Sequence, residues 1–305
     1  MHPTNEVCPV PEPTALTALS NHLADAAESA GARIVTVDAR RRMPASGIAW
    51  SDGVVVTANH VIERDDRIMV GLPGGETVAA TLAGRDPGTD IAVLRVPGAT
   101  APGALGGALR VGELVLAVGR PGSGGIEASL GAVAAVGGPW RSRGGVRVSG
   151  FVRTDTTFFP GFSGGALVNS GGLIAGMNTS RLGHGGITLP VSAIEPIVSA
   201  LLAGGRLKRG YLGISSQPVQ LPASVSMDPV QETGLLVVSV DADTPAAAAG
   251  VLVGDILVRI DSEVIDGSEA LQGALGPDSI GQSRTLKVVR GGVLHEIPAV
   301  IGERA

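Results

Sequence analysis

The chain has one cysteine, Cys8, in 305 residues. An intrachain disulfide is impossible, so the fold must stand on packing alone. Aromatic residues are scarce too, at 2% against a hydrophobic content of 44%, which leaves Val, Ile, Leu and Ala to fill the interior. No stretch reaches the ~18 uninterrupted apolar residues of a membrane-crossing helix, so no membrane span is expected. Residues 1–13 carry prolines, Glu6 and Glu12 where an export signal would show a basic flank and an apolar run. That pattern points to a cytoplasmic protein, or to a periplasmic one if an export segment has been trimmed away. Net charge is −5 with no long run of either sign, and Arg40-Arg41-Arg42 reads as a solvated loop. Nucleic acid is not an expected partner, because phosphate binding needs a concentrated basic surface. No His/Cys/carboxylate group has metal-ligand spacing, so neither metal nor cofactor is expected. The glycine-rich run from Gly119 to Gly125 lacks both the Lys-Ser/Thr of a phosphate loop and the third glycine of a dinucleotide loop.

What is abundant is punctuation: 46 glycines and 20 prolines. They separate short apolar runs such as Ile34–Val37, Val54–Thr57, Ile68–Val70, Ile91–Leu94, Leu114–Val118, Ala132–Val136, Phe151–Asp155, Ala166–Asn169 and Ile174–Met177. Short runs at this spacing predict a mostly β chain, folded as an antiparallel barrel or sandwich and not as alternating βαβ units. Residues 14–30 predict a helix with Leu16, Leu19, Leu23, Ala26 and Ala27 on one face, capped by Thr14 or Thr17. A second helix is expected over 193–203, stopped by Gly204-Gly205. The polar, glycine-rich stretch that follows reads as a boundary. Beyond it, strands and two short helices, 245–249 and 268–275, make a small α+β unit. The organisation expected is a flexible tail at 1–13, one domain over 14–205 and a second over 206–305.

Three segments could carry chemistry. Gly161-Phe162-Ser163-Gly164-Gly165 lies between two strand-like runs. Glycines let a backbone take positive φ and turn its N–H groups toward one point, as the oxyanion formed on a serine nucleophile requires; the same residues also make ordinary turns. His60 ends an apolar run, which suits either a held base or a core histidine. Asp90 opens another run, where burial would call for a partner such as a His N–H, or it is a turn aspartate; Asp155 is a second carboxylate candidate. The chain order His60, Asp90, Ser163 is one of three known for Ser-His-Asp enzymes and is that of the double-barrel proteases.

Thr57–Ile62, Thr89–Leu94 and Pro160–Asn169 resemble the three catalytic blocks of HtrA (Deg) family trypsin-like serine proteases. Gly210–Ile214 and Thr244–Leu257 resemble a PDZ domain of the kind that follows them. The resemblance runs from about residue 30 to 303. It implies a chymotrypsin-like double β-barrel followed by a small α+β PDZ domain. The implied activity is ATP-independent serine endopeptidase cleavage of unfolded or damaged proteins. Ser163 would be the nucleophile, His60 the base, Asp90 its orienting acid, and the N–H groups of Gly161 and Ser163 the oxyanion hole. Asn178, Thr179, Ser180 and Ile187 would line a pocket for small or medium aliphatic P1 side chains. Tyr211, Leu212, Gly213, Ile214 and Leu271 would take a peptide C-terminus, with charge attraction available from Lys208 or Arg209. A homotrimer is also implied.

The chain departs from the family in having Phe159 and Phe162 where asparagines are usual. Three of its four phenylalanines, Phe158, Phe159 and Phe162, flank Ser163. They read either as core packing or as a loop that rests inactive. The second option keeps open a protease-incompetent peptide-binding scaffold or holdase.

Overall fold

The structure is a computed structural model that describes residues 14–141, 147–183, 185–204, 209–221 and 231–303. The tail at 1–13, His184 and the Lys208 contribution to peptide binding lie outside the described residues.

Helix α1 (Ala15–Gly31) begins at Thr14, whose side chain accepts the Thr17 N–H at 3.2 Å, satisfying one of the donors a helix N-terminus leaves open. Only its C-terminal half is covered: Ala26 and Ala30 are buried. Leu16 and Leu19 were expected on the packed face but stand exposed, because the helix reaches the protein body only from about Leu23 onward.

Six antiparallel strands then close a first barrel in the order β1-β2-β3-β6-β5-β4: β1 (Ile34–Asp38), β2 (Ala45–Ser51), β3 (Val54–Ala58), β4 (Ile68–Gly71), β5 (Thr77–Asp86) and β6 (Ile91–Arg95). β3 is buried at every position. One face fills its own barrel through Val55 and the other meets the second barrel's core through Val54 and Val56. That explains a continuous apolar run where one-sided burial would give alternation. β5 has no counterpart in the sequence expectations. Its three alanines and Gly84 dilute the β preference of Thr77, Val78 and Thr81, and it is held by pairing with β4 and β6, with a bulge between Leu82 and Gly84.

The second barrel follows as β7 (Leu114–Gly119), β8 (Glu127–Gly137), the short pair β9 (Trp140–Arg141) and β10 (Arg147–Val148), β11 (Phe151–Thr154), β12 (Ala166–Asn169), β13 (Ile174–Thr179) and β14 (Ile187–Pro190). It closes in the order β11-β14-β13-β12-β7-β8, with β9 and β10 paired apart. Helix α2 (Val191–Gly204) packs back through Ala193, Ile194, Val198 and Leu201. The two closed barrels bear out the mostly β, chymotrypsin-like expectation.

The remaining strands are β15 (Gly210–Tyr211), β16 (Ile214–Gln220), β17 (Thr233–Val240), β18 (Ile256–Ile260), β19 (Glu263–Val264), β20 (Ser283–Arg290), β21 (Val293–Val300) and β22 (Gly302–Glu303). All but the β15–β22 pair belong to one sheet, wrapped around its own core of Leu235, Val237, Leu257, Ile260 and Leu286. Helix α3 (Pro245–Ala249) starts at the Thr244 cap with Pro245 in its first turn and ends on left-handed Gly250 at φ +82, the asymmetry of helix ends that the sequence displays openly. Helix α4 (Ser268–Ala274) lies across from β16.

Candidate active site

The strand β3 runs into a 3-10 turn, Asn59–Val61, that carries His60 at the barrel mouth. Asp90 comes from the tight turn before β6. The Asn59 N–H donates to the Asp90 carbonyl at 2.9 Å, tying the two segments together. The Asp90 carboxylate is fully buried and accepts three hydrogen bonds. The His60 N–H donates to Oδ1 at 2.9 Å, His60 Nδ1 pairs with Oδ2 at 2.8 Å, and the Thr179 hydroxyl donates to Oδ2. An acceptor-only carboxylate at Nδ1 places the ring proton there and leaves Nε2 as the free base. Asp90 also sits at φ +57, in the left-handed region that aspartate tolerates better than most side chains. Strain of that kind persists where the surroundings over-determine it. Here they do: Asp86, four residues earlier, accepts both the N–H and the hydroxyl of Thr89 at 2.8 and 2.7 Å. Asp86 in turn pairs with Arg209, which enters from the start of the second unit.

Ser163 is set by a different device. The Phe162 N–H returns to the Phe159 carbonyl at 3.0 Å, closing a turn in which Gly161 takes φ +90. A β-carbon at Gly161 would lie 2.5 Å from Pro121 Cβ, and one at Gly164, φ +85, would lie 2.1 Å from the Ser46 carbonyl. Both positions are therefore restricted to glycine by space as well as by dihedral. Ser46, buried in β2, clamps the loop: its N–H donates to the Ser163 carbonyl at 3.2 Å and its hydroxyl to the Gly161 carbonyl at 2.7 Å, while Arg120 N–H donates to that same hydroxyl. On the other side, Gly164 N–H reaches the Asn178 carbonyl and Asn178 N–H the Gly165 carbonyl. Among the described residues, the N–H groups of Gly161 and Ser163 have no acceptor within the chain. The Ser163 hydroxyl rests 3.0 Å from the Ser180 hydroxyl and accepts the Ser180 N–H at 3.3 Å.

Phe162 follows the packing alternative. Its ring is fully buried against Gly119 and makes an edge contact with Phe159, the centroids 5.4 Å apart. Asp155, the second carboxylate candidate, is exposed on the β8 side, where it accepts the Ala132 N–H.

The pocket expectations need correction at three of four positions. Ser180 alone faces solvent beside Ser163. Asn178 is buried, with its amide spent on the Ala166 carbonyl and the Thr188 hydroxyl. Thr179 is buried on Asp90. Ile187 belongs to the core. β13 is buried at every position from Ile174 to Thr179, and the chain reaches the surface only at Ser180, just past the strand end. Phe158, one of the phenylalanines flanking Ser163, lays its ring 2.9 Å from where a β-carbon of Gly186 would stand.

In the second unit, Tyr211, Leu212, Gly213, Ile214 and Leu271 all border one cleft of about 940 Å³, which Arg209 and, from the barrel side, Thr89 also reach. Gly213 takes φ +81 against the Thr244 side chain. Tyr211 hydroxyl donates to Asp241 at 3.2 Å.

Residues 45–177 match the trypsin-like peptidase domain family, and residues 210–299 match the PDZ domain family. A probable periplasmic serine endoprotease, DegP-like, from Halomonas elongata is 34% identical over 275 residues, covering 87% of this chain and 57% of the relative. Serine endoprotease DegS from Haemophilus influenzae is 30% identical over 273 residues, covering 85% of this chain and 76% of the relative. The chain thus spans little more than half the length of the DegP-like protein. Among solved structures, the HtrA-type protease AlgW with decapeptide superposes at a TM-score of 0.70 with 27% identity, covering 93% of this chain and 99% of that one. The serine endoprotease from Yersinia pestis gives 0.68 and 27%, covering 93% and 98%. The cytoplasmic expectation is overturned by the DegP-like relatives, which are named periplasmic. The features it rested on, the composition of residues 1–13 and the lack of a long apolar run, do not select a compartment.

Proposed function

The chain belongs to the HtrA family of trypsin-like serine proteases, and from that premise we propose that it is an ATP-independent serine endopeptidase of unfolded or damaged proteins in the periplasm. Ser163 attacks the scissile carbonyl as His60 Nε2 takes its proton. His60 then protonates the leaving amine, and Asp90 holds the imidazole in the required tautomer and stabilises the imidazolium. The oxyanion is received by the N–H groups of Gly161 and Ser163. Each such donor is worth about 2.7–4 kcal/mol in the transition state. The observation that carries this reading is the pairing of a fully buried, thrice-bonded Asp90 with His60 Nδ1, which leaves Nε2 as the open base.

We place the catalytic unit at 14–205 and the peptide-binding unit at 206–305, with the two family matches falling inside them. A peptide C-terminus enters the cleft at Tyr211–Ile214, adding a strand to the sheet edge while backbone N–H groups take its carboxylate. The ring of Phe158 over Gly186 narrows the recess beside Ser163 and favours small aliphatic P1 residues. A homotrimer, carried from the resemblance, finds support in the uncovered Leu16 and Leu19 of α1; light scattering tests it.

The test of function is labelling by a fluorophosphonate together with digestion of unfolded casein. Stoichiometric modification at Ser163 and casein fragments, both lost in Ser163→Ala, are expected. An unlabelled Ser163 and intact casein would leave the peptide-binding scaffold in its place.

A further inference from the structure

In the proposed catalytic unit, the hydroxyl that must give its proton to His60 is bonded elsewhere. Both hydrogen bonds of Ser163 Oγ go to residue 180: hydroxyl to hydroxyl at 3.0 Å, and from the Ser180 N–H at 3.3 Å. A serine hydroxyl has one proton and two lone pairs. The Ser180 N–H occupies one lone pair. The contact between hydroxyls then uses either the Ser163 proton or its second lone pair. In the first case the proton is not available to His60. In the second both lone pairs of the resting hydroxyl are engaged, and it makes no hydrogen bond to His60 through which its proton could leave. Whichever hydroxyl donates, general-base attack requires this contact to open.

The contact is built into the fold. The reciprocal bonds between Gly164 and Asn178 and between Asn178 and Gly165 lock the register of the Ser163 loop against β13. Thr179 is anchored inward on Asp90. Thr179 ends β13 and is buried, while Ser180, the first residue beyond the strand, is exposed, on the face where a substrate would arrive. The last residue of β13 and the residue after it thereby hold the orienting acid and the nucleophile.

We propose that Ser180 is a latch: its hydroxyl parks Ser163 off His60 in the resting enzyme, and an arriving substrate must displace it before acylation. Ser180 is a positioning residue, and the proposal rests on the protease reading above.

The experiment compares the second-order rate constant for fluorophosphonate labelling of Ser163 in the wild-type full chain, Ser180→Ala and Ser180→Thr, across pH. Loss of one neutral hydrogen bond should speed labelling by about two- to tenfold in Ser180→Ala, with an unshifted pH midpoint because His60 is untouched. Ser180→Thr, which keeps the hydroxyl, should return close to wild type. A loss of folding cannot mimic faster labelling. Labelled wild type with Ser180→Ala equal or slower overturns the latch and leaves the protease standing. Absence of labelling in wild type and Ser180→Ala alike overturns the protease reading and the latch with it. A silent wild type with a labelled Ser180→Ala supports both.

Discussion

The Thr179 hydroxyl donates to Asp90 Oδ2, the same oxygen that pairs with His60 Nδ1. A residue 89 positions away in sequence therefore shares the carboxylate that orients the proposed base. The residue it serves is fully buried, away from bulk solvent.

Thr179→Val keeps the shape and removes the donor. Hydrogen bonds to charged groups are worth about 1.5–3 kcal/mol, so kcat/KM should fall by about 10- to 150-fold. Thr179→Ser should recover most of it. Steady-state kinetics on a chromogenic peptide measures both.

Asp90→Asn tests the orienting acid with little cost to the fold. Asparagine accepts the left-handed φ of +57 found at this position. In a Ser-His-Asp enzyme this exchange costs about 10⁴ in kcat, because the imidazole takes the wrong tautomer. A loss of that order, with a circular-dichroism melt close to wild type, is the expected outcome.

Phe158→Ala should widen the recess that its ring closes over Gly186. Discrimination by apolar pockets runs at about 1–3 kcal/mol per methylene. The ratio of kcat/KM for Leu over Ala at P1 should therefore rise by at least about tenfold. Profiling against peptides that differ only at P1 reads the shift.

Acid stability of the second unit should depend on Asp255. Burial by itself would raise its pKa, but the Arg290 hydrogen bond, the Leu252 N–H and the Arg290 charge outweigh it and hold the carboxyl below its ordinary 3.8. A carboxyl depressed in the folded state contributes stability that is fully present above its unfolded pKa and lost as pH falls through the folded value. Urea melts should show wild type more stable than Asp255→Asn by a constant margin at neutral pH. That margin should shrink once pH drops below the ordinary aspartate range.

The local signals were strong where local physics is sufficient. Thr14 and the Thr244-Pro245…Gly250 frame mark helix ends through side-chain caps and permitted dihedrals. The glycines around Ser163 mark a loop whose backbone only glycine can follow, and the order His60, Asp90, Ser163 marks its chemistry. β5 escaped because its three alanines and Gly84 dilute its intrinsic preference, and its barrel neighbours complete the strand.

The same division runs through the site. Sequence by itself determined which residue types could act and that they belong to a mostly β chain of two units. Tertiary structure alone decided that Ser46 clamps the Ser163 loop, that Phe162 is buried, that Thr179 serves Asp90 and that Ser180 holds Ser163. Each of those contacts joins segments distant along the chain, and which way Thr179 and Ser180 point depends on the register in which β13 meets its neighbours. Register is set by the closed barrel as a whole, and it brings Thr179 to the end of β13 with Ser180 just beyond it.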